Sequence, residues 1–488
     1  MTSTPSPAPH SSSEADRLNE QVNQLYKAGK YSEAIPIATR VLELRKKALG
    51  PDHPNTAESL NNLGALYREM GDYAKAEPLF QRALKIEEKA FGLEHPDAAT
   101  TLDGLAAVYP AMLNALIALH ALGYPNSHPA LIKAKKDFEG LFVDDPEDFR
   151  IQPCLSPIWD TAINVIALAE SGLPPEHSAL QKAAAWLSSK EVRIRGDWTK
   201  NNSHAEASGW AFEYNNVYYP DTDDTAMVLM ALRLVQPEDG KQYEEVFERA
   251  LAWQLSFQCR DGGWGAFDKD VIDGWLENMP FADHNAILDP TCSDLTARTL
   301  ELFGYIGFDR FDRSVKEALR YLIRTQEDDG SWYGRWGVNY IYGTWQVLRG
   351  LRAIGQDMTQ DWILRGRDWL ESCQNDDGGW GETCATYEDP SAKGKGDSTA
   401  SQTAWAIMGI CACGDLNRPS IQRGLRYLLS TQQPDGSWHE PQITGTGFPS
   451  VFYLKYDMYR QNFPLLALAT YVNYKRGLGH PRSFFRCN

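Results

Sequence analysis

Hydrophobic residues recur at helical spacing along almost the whole chain, and two different repeats decide where the runs stop. From residue 15 to about 109 the apolar positions fall into pairs of amphipathic segments with Gly at the turns. Gly29-Lys-Tyr31-Ser-Glu-Ala34 returns 42 residues later as Gly71-Asp-Tyr73-Ala-Lys-Ala76. Gly50-Pro-Asp-His53-Pro54 returns at the same period as Gly92-Leu-Glu-His95-Pro96. Such a period predicts stacked helical hairpins, each covering the apolar face of the next. A third unit runs from Thr101 to Tyr109 and is cut by Pro110. Proline inside a continuing helix costs about 3 kcal/mol, so a domain junction is expected near residue 108.

From Ala111 onward the apolar runs are longer, as in Asp160-Thr-Ala-Ile-Asn-Val-Ile-Ala-Leu168 and Ala226-Met-Val-Leu-Met-Ala-Leu232. Strand alternation is scarce, which predicts an all-α architecture. The connections carry the second repeat: Gln258…Trp264, Gln326…Trp332, Gln374…Trp380 and Gln432…Trp438 share one spacing. Trp253, Tyr321, Trp369 and Tyr427 stand five residues before those glutamines, and each repeat Trp follows Asp-Gly-Gly or Asp-Gly-Ser. We read this as a structural staple. The amide bonds nearby backbone while the indole packs against it, across a tight turn. Trp186, Lys190 and Trp198 read as a degenerate fifth copy.

Composition narrows the function. A formal charge of −17 argues against nucleic acid as a partner. The eight cysteines show no C-x-x-C pair, so neither a zinc site nor another metal centre is expected, and a reduced, cytoplasmic chain is the simplest reading. No run of eighteen apolar residues predicts a membrane span. Residues 1–14, rich in Ser and Pro at the start, read as a disordered lead without the apolar core of a signal peptide.

The acidic stretch Tyr218-Tyr219-Pro220-Asp221-Thr222-Asp223-Asp224-Thr225 carries the candidate chemistry. Asp221 alone reads as a helix cap whose first turn welcomes negative charge. Three crowded carboxylates cannot all ionise cheaply, so one can be held protonated and act as an acid near neutral pH. Asp144-Asp145-Pro146-Glu147-Asp148 resembles a magnesium-binding signature, but Pro146 and its polar surroundings mark it as an exposed loop.

Two resemblances refine this picture. Leu60-Asn-Asn-Leu63-Gly64-Ala-Leu-Tyr67 with Ala76-Glu-Pro-Leu-Phe80 resembles the tetratricopeptide repeat of kinesin-light-chain type, implying a peptide or protein partner. The Gln…Trp repeat resembles the QW motif of triterpene cyclases. Ser156-Pro157-Ile-Trp159-Asp160-Thr161, the Asp221–Asp224 stretch, Gly334-Arg-Trp336-Gly-Val-Asn-Tyr340-Ile-Tyr342-Gly343 and Gly445-Thr-Gly-Phe448-Pro449…Phe452…Tyr456…Tyr459 resemble squalene–hopene cyclase. The implied fold is an α/α toroid of the terpene cyclase type. It is expected over residues 109–477, after tetratricopeptide repeats at 15–108 and before a tail at 478–488.

The resemblance implies a class II reaction on squalene or another polyprene, with no cofactor and with peripheral membrane contact. It makes Asp223 the proton donor and Asp221 and Asp224 its partners. Arg298, in the stretch Asp289-Pro-Thr-Cys-Ser-Asp294-Leu-Thr-Ala-Arg298, stands at the position of the donor's hydrogen-bonded partner, where one well-known member has His, and is expected within hydrogen-bonding reach of the Asp223 cluster; Asp289 and Asp294 join the catalytic set. Trp159, Asp160, Phe212, Phe267, Phe281, Trp336, Tyr342, Phe448, Phe452, Tyr456 and Tyr459 are the implied substrate- and cation-facing residues. The family has two helical barrels, and the segment for the first is missing here. Three readings stay open: a squalene cyclase, a single-barrel cyclase of a shorter prenyl substrate, and a partner-binding chain with a non-catalytic barrel.

Overall fold

The computed structural model describes residues 10–27, 30–51, 53–69, 124–139, 150–152, 155–213, 216–237, 240–271, 289–449 and 452–478, with isolated positions between 79 and 143. The chain divides into two compact units, Met1–Pro153 and Cys154–Asn488. The junction expected near residue 108 lies outside the described residues, as do the third repeat and Asp144–Asp148.

In the first unit, α1 (His10–Lys27), α2 (Tyr31–Leu49) and α3 (Pro54–Glu69) pack in sequence, and α4 (Pro129–Glu139) precedes a short β1–β2 pair (Phe142–Val143, Arg150–Ile151). Tyr31, Ala34, Ala38, Val41 and Leu42 form the buried face of α2, the amphipathic spacing of a packed helix. Gly50 ends it at φ 98°, with its N–H donating to Lys46 O at 3.0 Å, a backbone state that glycine adopts without steric cost. Buried Arg45 ties the three helices together. It donates to Asn55 O at 2.9 Å and Ser59 Oγ at 3.1 Å, and pairs with Asp16 and Glu58. Because α1 begins at His10, residues 10–14 of the expected disordered lead are helical.

The second unit is a ring of helices. The inner helices are α5 (Pro157–Glu170), α7 (Thr222–Arg233), α9 (Ser293–Ile306), α11 (Tyr340–Ala353), α13 (Ala400–Ala412) and α15 (Tyr459–Lys475), each packed on the next, with α15 returning to α5. The outer helices α6 (Ser178–Ser189), α8 (Gly240–Ser256), α10 (Arg313–Arg324), α12 (Asp361–Ser372) and α14 (Pro419–Thr431) pack on the inner helices they follow. Every residue of α13 is buried, whereas α10 buries Val315, Ala318, Tyr321 and Leu322. Apolarity all round places a helix inside, and a single apolar stripe places it outside. Glycines let inner neighbours close up. A Cβ on Gly350 would stand 2.3 Å from Ala297 O, and one on Gly304 would stand 2.5 Å from Ala353 O.

The Gln…Trp repeat locks the turns before α9, α11 and α13. The indoles of Trp264, Trp332, Trp380 and Trp438 donate to Gln254, Leu322, Leu370 and Leu428 carbonyls at 2.7–2.9 Å, closing the ends of the outer helices. Gln258, Gln326 and Gln374 each bond their own turn and the start of the next outer helix, at Ser314 O, Trp362 O and Ser420 O. The backbone N–H of Trp264, Trp332 and Trp380 donates to Thr296, Thr344 and Thr403 on the inner helices. The fifth copy differs from expectation: Trp210, not Trp198, donates to Leu187 O at 2.7 Å and takes the Thr225 contact. Trp198 packs instead against Trp253 and Phe257. A short 3₁₀ turn at Asp197–Lys200 lengthens this loop and hides the true spacing.

Candidate active site

The staple fixes where the acids stand. Asp221, Cys292 and Thr399 occupy one register position, each N–H donating to the carbonyl of Trp210, Trp264 or Trp380 at 2.9–3.0 Å. Each begins an inner helix, so Asp223 and Asp294 both sit two residues into one, on neighbouring helices. Asp221 is indeed a cap: its Oδ1 accepts from Asp224 N–H at 2.7 Å. Thr222 anchors the same turn through Gly265 O and Ala266 O.

Asp221 and Asp224 are 4% and 1% exposed, whereas the Asp223 side chain keeps 13%. Asp223 forms an ion pair with Arg298, itself 3% exposed. Burial lifts all three carboxyls. Asp221 rises to about 7. Asp223 rises to about 6 against the pull of Arg298 and with the help of Asp294. Asp224 is held well above the carboxylate range by burial and by the charge of Asp221. Burial opposes the charge of Arg298 most strongly, but Asp223 together with Tyr342, Glu301 and Tyr459 outweighs it, and the guanidinium is held above its ordinary value.

Aromatic rings surround this pair. Arg298 donates to Tyr342 Oη at 2.5 Å, touches Met227 Sδ at 3.0 Å and lies 4.9 Å from the Trp159 ring centre. Tyr459 stacks on Tyr456 at 4.4 Å, and Phe212 meets Tyr456 edge-on at 6.3 Å. Tyr342 also meets Trp405 at 4.9 Å, and Trp345, Trp405 and Phe463 pack together within the ring.

Asp289, Asp294, Phe267 and Trp336 form a second group. Asp289 accepts from the N–H of Phe267 and Asp268, and Asp294 accepts from Arg335 N–H at 2.9 Å and Trp336 N–H at 3.0 Å. These two carboxylates aim backbone, and the loops so held bring Phe267 and Trp336 edge-on at 6.1 Å. Burial raises Asp289 to about 6 against those N–H bonds. Phe448 pairs in register with Phe452 across β3 (Gly445–Phe448) and β4 (Phe452–Leu454), a hairpin bridged to Gly337 beside Trp336. Asp160 is half-buried on α5, raised to about 6 by burial and by Asp457. Phe281 lies outside the described residues. A hollow of about 450 Å³ on the outer wall, lined by His204, Glu206, Arg249 and Trp253 among others, shares no residue with the acids.

The sequence profile of the squalene-hopene cyclase C-terminal domain matches residues 155–473. The chain belongs to the squalene–hopene cyclase family. It is 44% identical to a probable squalene–hopene cyclase of Sinorhizobium fredii over 368 residues, 75% of this chain and 57% of that protein. It is 44% identical to the squalene–hopene cyclase of Zymomonas mobilis, again over 57% of that protein, and 44% identical to a dammaradiene synthase of Dryopteris crassirhizoma over 56%. The chain therefore spans little more than half the length of these curated relatives. A tetratricopeptide-repeat profile matches residues 18–89 and 64–121. With the cyclase fold in view, several buried residues missed by sequence reasoning come forward: Trp345, Trp405 and Phe463, and the charged Glu170, Glu301 and Arg349. The available signal was a charge inside a helix apolar on every face, where it demands a partner.

Proposed function

We propose that the C-terminal unit catalyses protonation-initiated cyclisation of a squalene-type polyprene, with Asp223 as the donor. The observation that carries this reading is the ion pair with Arg298. Asp223 is the most accessible carboxylate of the three and the one with a cation against it. Its proton adds to a terminal alkene carbon, whose π pair forms the new C–H bond. Asp223 keeps the O–H electron pair and becomes a carboxylate, which Arg298 stabilises. The cation left on the substituted carbon is attacked by the next double bond, and rings form in turn until the last cation loses a proton to solvent, which balances the one Asp223 gave.

A carbocation near a nucleophile is quenched, so the wall must be dry and electron-rich. Aromatic faces of Trp159, Phe212, Tyr342, Tyr456 and Tyr459 provide it, each contributing roughly 0.5–2 kcal/mol by cation–π attraction. Arg298 does not lose its proton near neutral pH, so Asp223 regains its own from water. Polyprenes reside in bilayers, and this reading makes the chain a peripheral membrane protein. No helix among the described residues is long and apolar enough to cross a membrane. The repeat unit is read as the protein-binding part.

The same constellation suits a second reading, a cyclase of a shorter prenyl substrate, because the donor, its cation and the aromatic wall act on any terminal alkene. Incubation of the purified chain with squalene and with geranylgeranyl diphosphate, analysed by mass spectrometry, separates the two. Asp223→Asn is the control. A product that survives this substitution refutes the donor assignment.

A further inference from the structure

A second line of buried charge starts on the helix that carries Arg298. Glu301, three residues along α9, is 4% exposed. It pairs with Arg349 Nε on α11 and accepts from Gln346 Nε2 at 3.1 Å. Arg349, 3% exposed, reaches on to Glu170 at the end of α5 at 2.7 Å. Glu170 also accepts from Tyr305 Oη at 3.0 Å and Thr470 Oγ1 at 3.1 Å.

Two acids and one base leave this triad with one negative charge in surplus. A buried charge without a counter-charge is strongly unfavourable. Arg298 carries one positive charge in surplus whenever Asp223 holds its proton. The two surpluses stand three residues apart on one helix and cancel. We propose that the Glu170–Arg349–Glu301 triad is the standing counter-charge of Arg298, a positioning device that lets Asp223 keep its proton beside a permanent cation. The inference rests on reading Asp223 as the donor. Without the triad, Arg298 would draw more strongly on an ionised Asp223, the state with no proton to give. After transfer, Asp223 becomes the added anion and the substrate the added cation, so the charge sum of these groups is unchanged by the step.

The other groups around Asp223 do not replace the triad. Asp221 and Asp224 on its own helix are engaged with each other. Asp294 on α9 also raises Asp223, so it acts alongside the triad while accepting the N–H groups of Arg335 and Trp336. Tyr342 on α11 and Tyr459 on α15 are held neutral by burial. Asp160 on α5 is paired in repulsion with Asp457. On α8, Glu244 pairs with Arg233 at the other end of α7, and on α6 the charged residue, Lys182, is exposed.

The test is a pH titration of Asp223 that needs no turnover. The infrared C=O band of its protonated carboxyl is assigned by its loss in Asp223→Asn, and melting curves verify folding of each variant. Glu301→Gln is expected to lower the midpoint by roughly half to one pH unit. Glu170→Gln should lower it less, because it removes the same charge farther away. It also serves if Glu301→Gln fails to fold. Adding Arg298→Gln to Glu301→Gln should return the midpoint to its original value or above. A midpoint unchanged or raised in the glutamate variants overturns the proposal while leaving Asp223 as donor. An Asp223 already ionised at about pH 5 in the unaltered chain overturns both.

Discussion

Trp159 Nε1–H donates to Tyr459 Oη at 2.9 Å, joining residues 300 positions apart. The bond links the first inner helix to the last and closes the ring at the point where Arg298 lies over the same indole. The floor of the proposed cation site and the seam of the fold are therefore one contact.

Tyr459→Phe keeps the ring stack and removes the acceptor for the indole. Leaving a buried donor unsatisfied costs about 1–3 kcal/mol. We expect a matching fall in the urea midpoint of the full chain. Trp159→Phe/Tyr459→Phe, which removes both partners, should recover part of the loss. A double variant no more stable than Tyr459→Phe would show that the bond is not what holds the seam.

Asp223→Asn removes the proton and preserves shape. Loss of general-acid catalysis is worth roughly 10²–10⁴ in rate, so product should vanish from mass-spectrometric extracts while the helical circular dichroism stays unchanged. Arg298→Gln acts differently. It removes the charge that pulls the Asp223 proton affinity down, so the midpoint of Asp223 should rise above about 6 as the maximal rate falls. A rate profile displaced toward lower pH would contradict this.

Gly350→Ala places a methyl group against Ala297 O, which has no room for it. The α9–α11 pair must then separate, at about 1–3 kcal/mol for an overpacked core. Arg298 and Tyr342 lie on those two helices. The variant should therefore melt earlier and also shift the Asp223 titration, both measurable on one sample.

Stability should fall as pH rises from about 4 to 7. Asp221 and Asp223 have folded-state values of about 7 and about 6, raised by burial above the ordinary 3.8. In that window the folded chain binds more protons than the unfolded one, so raising the pH favours unfolding. Their contribution is complete below the unfolded value and is lost through the folded one. Asp221→Asn keeps a capping side chain and should flatten the slope of denaturation midpoint against pH. An equal slope in the variant would count against the raised value of Asp221.

Much of the site is legible in residue order, for a physical reason. Asp221-Thr-Asp223-Asp224 opens a helix because a cap, an acidic first turn and an apolar run are local properties. Trp264, Trp332, Trp380 and Trp438 mark the ends of outer helices because each indole reaches back ten residues. Where the loop is longer, the spacing misleads: Trp198 stands nearer the expected place, and Trp210, 23 residues from Leu187, makes the bond.

Sequence by itself therefore determined the helical class, the two repeats, the family resemblance and the acids and aromatics worth testing. The resemblance also pointed Arg298 at the Asp223 cluster, where the ion pair stands; tertiary structure decided which carboxylate stays accessible, that Asp289 and Asp294 aim backbone, and that Glu301 finds Arg349 and Glu170. Helix periodicity and capping act over a few residues and leave a mark in the order of the chain. Burial and ion pairing act between helices that meet only when the ring closes, and the closing contact lies 300 residues from its start.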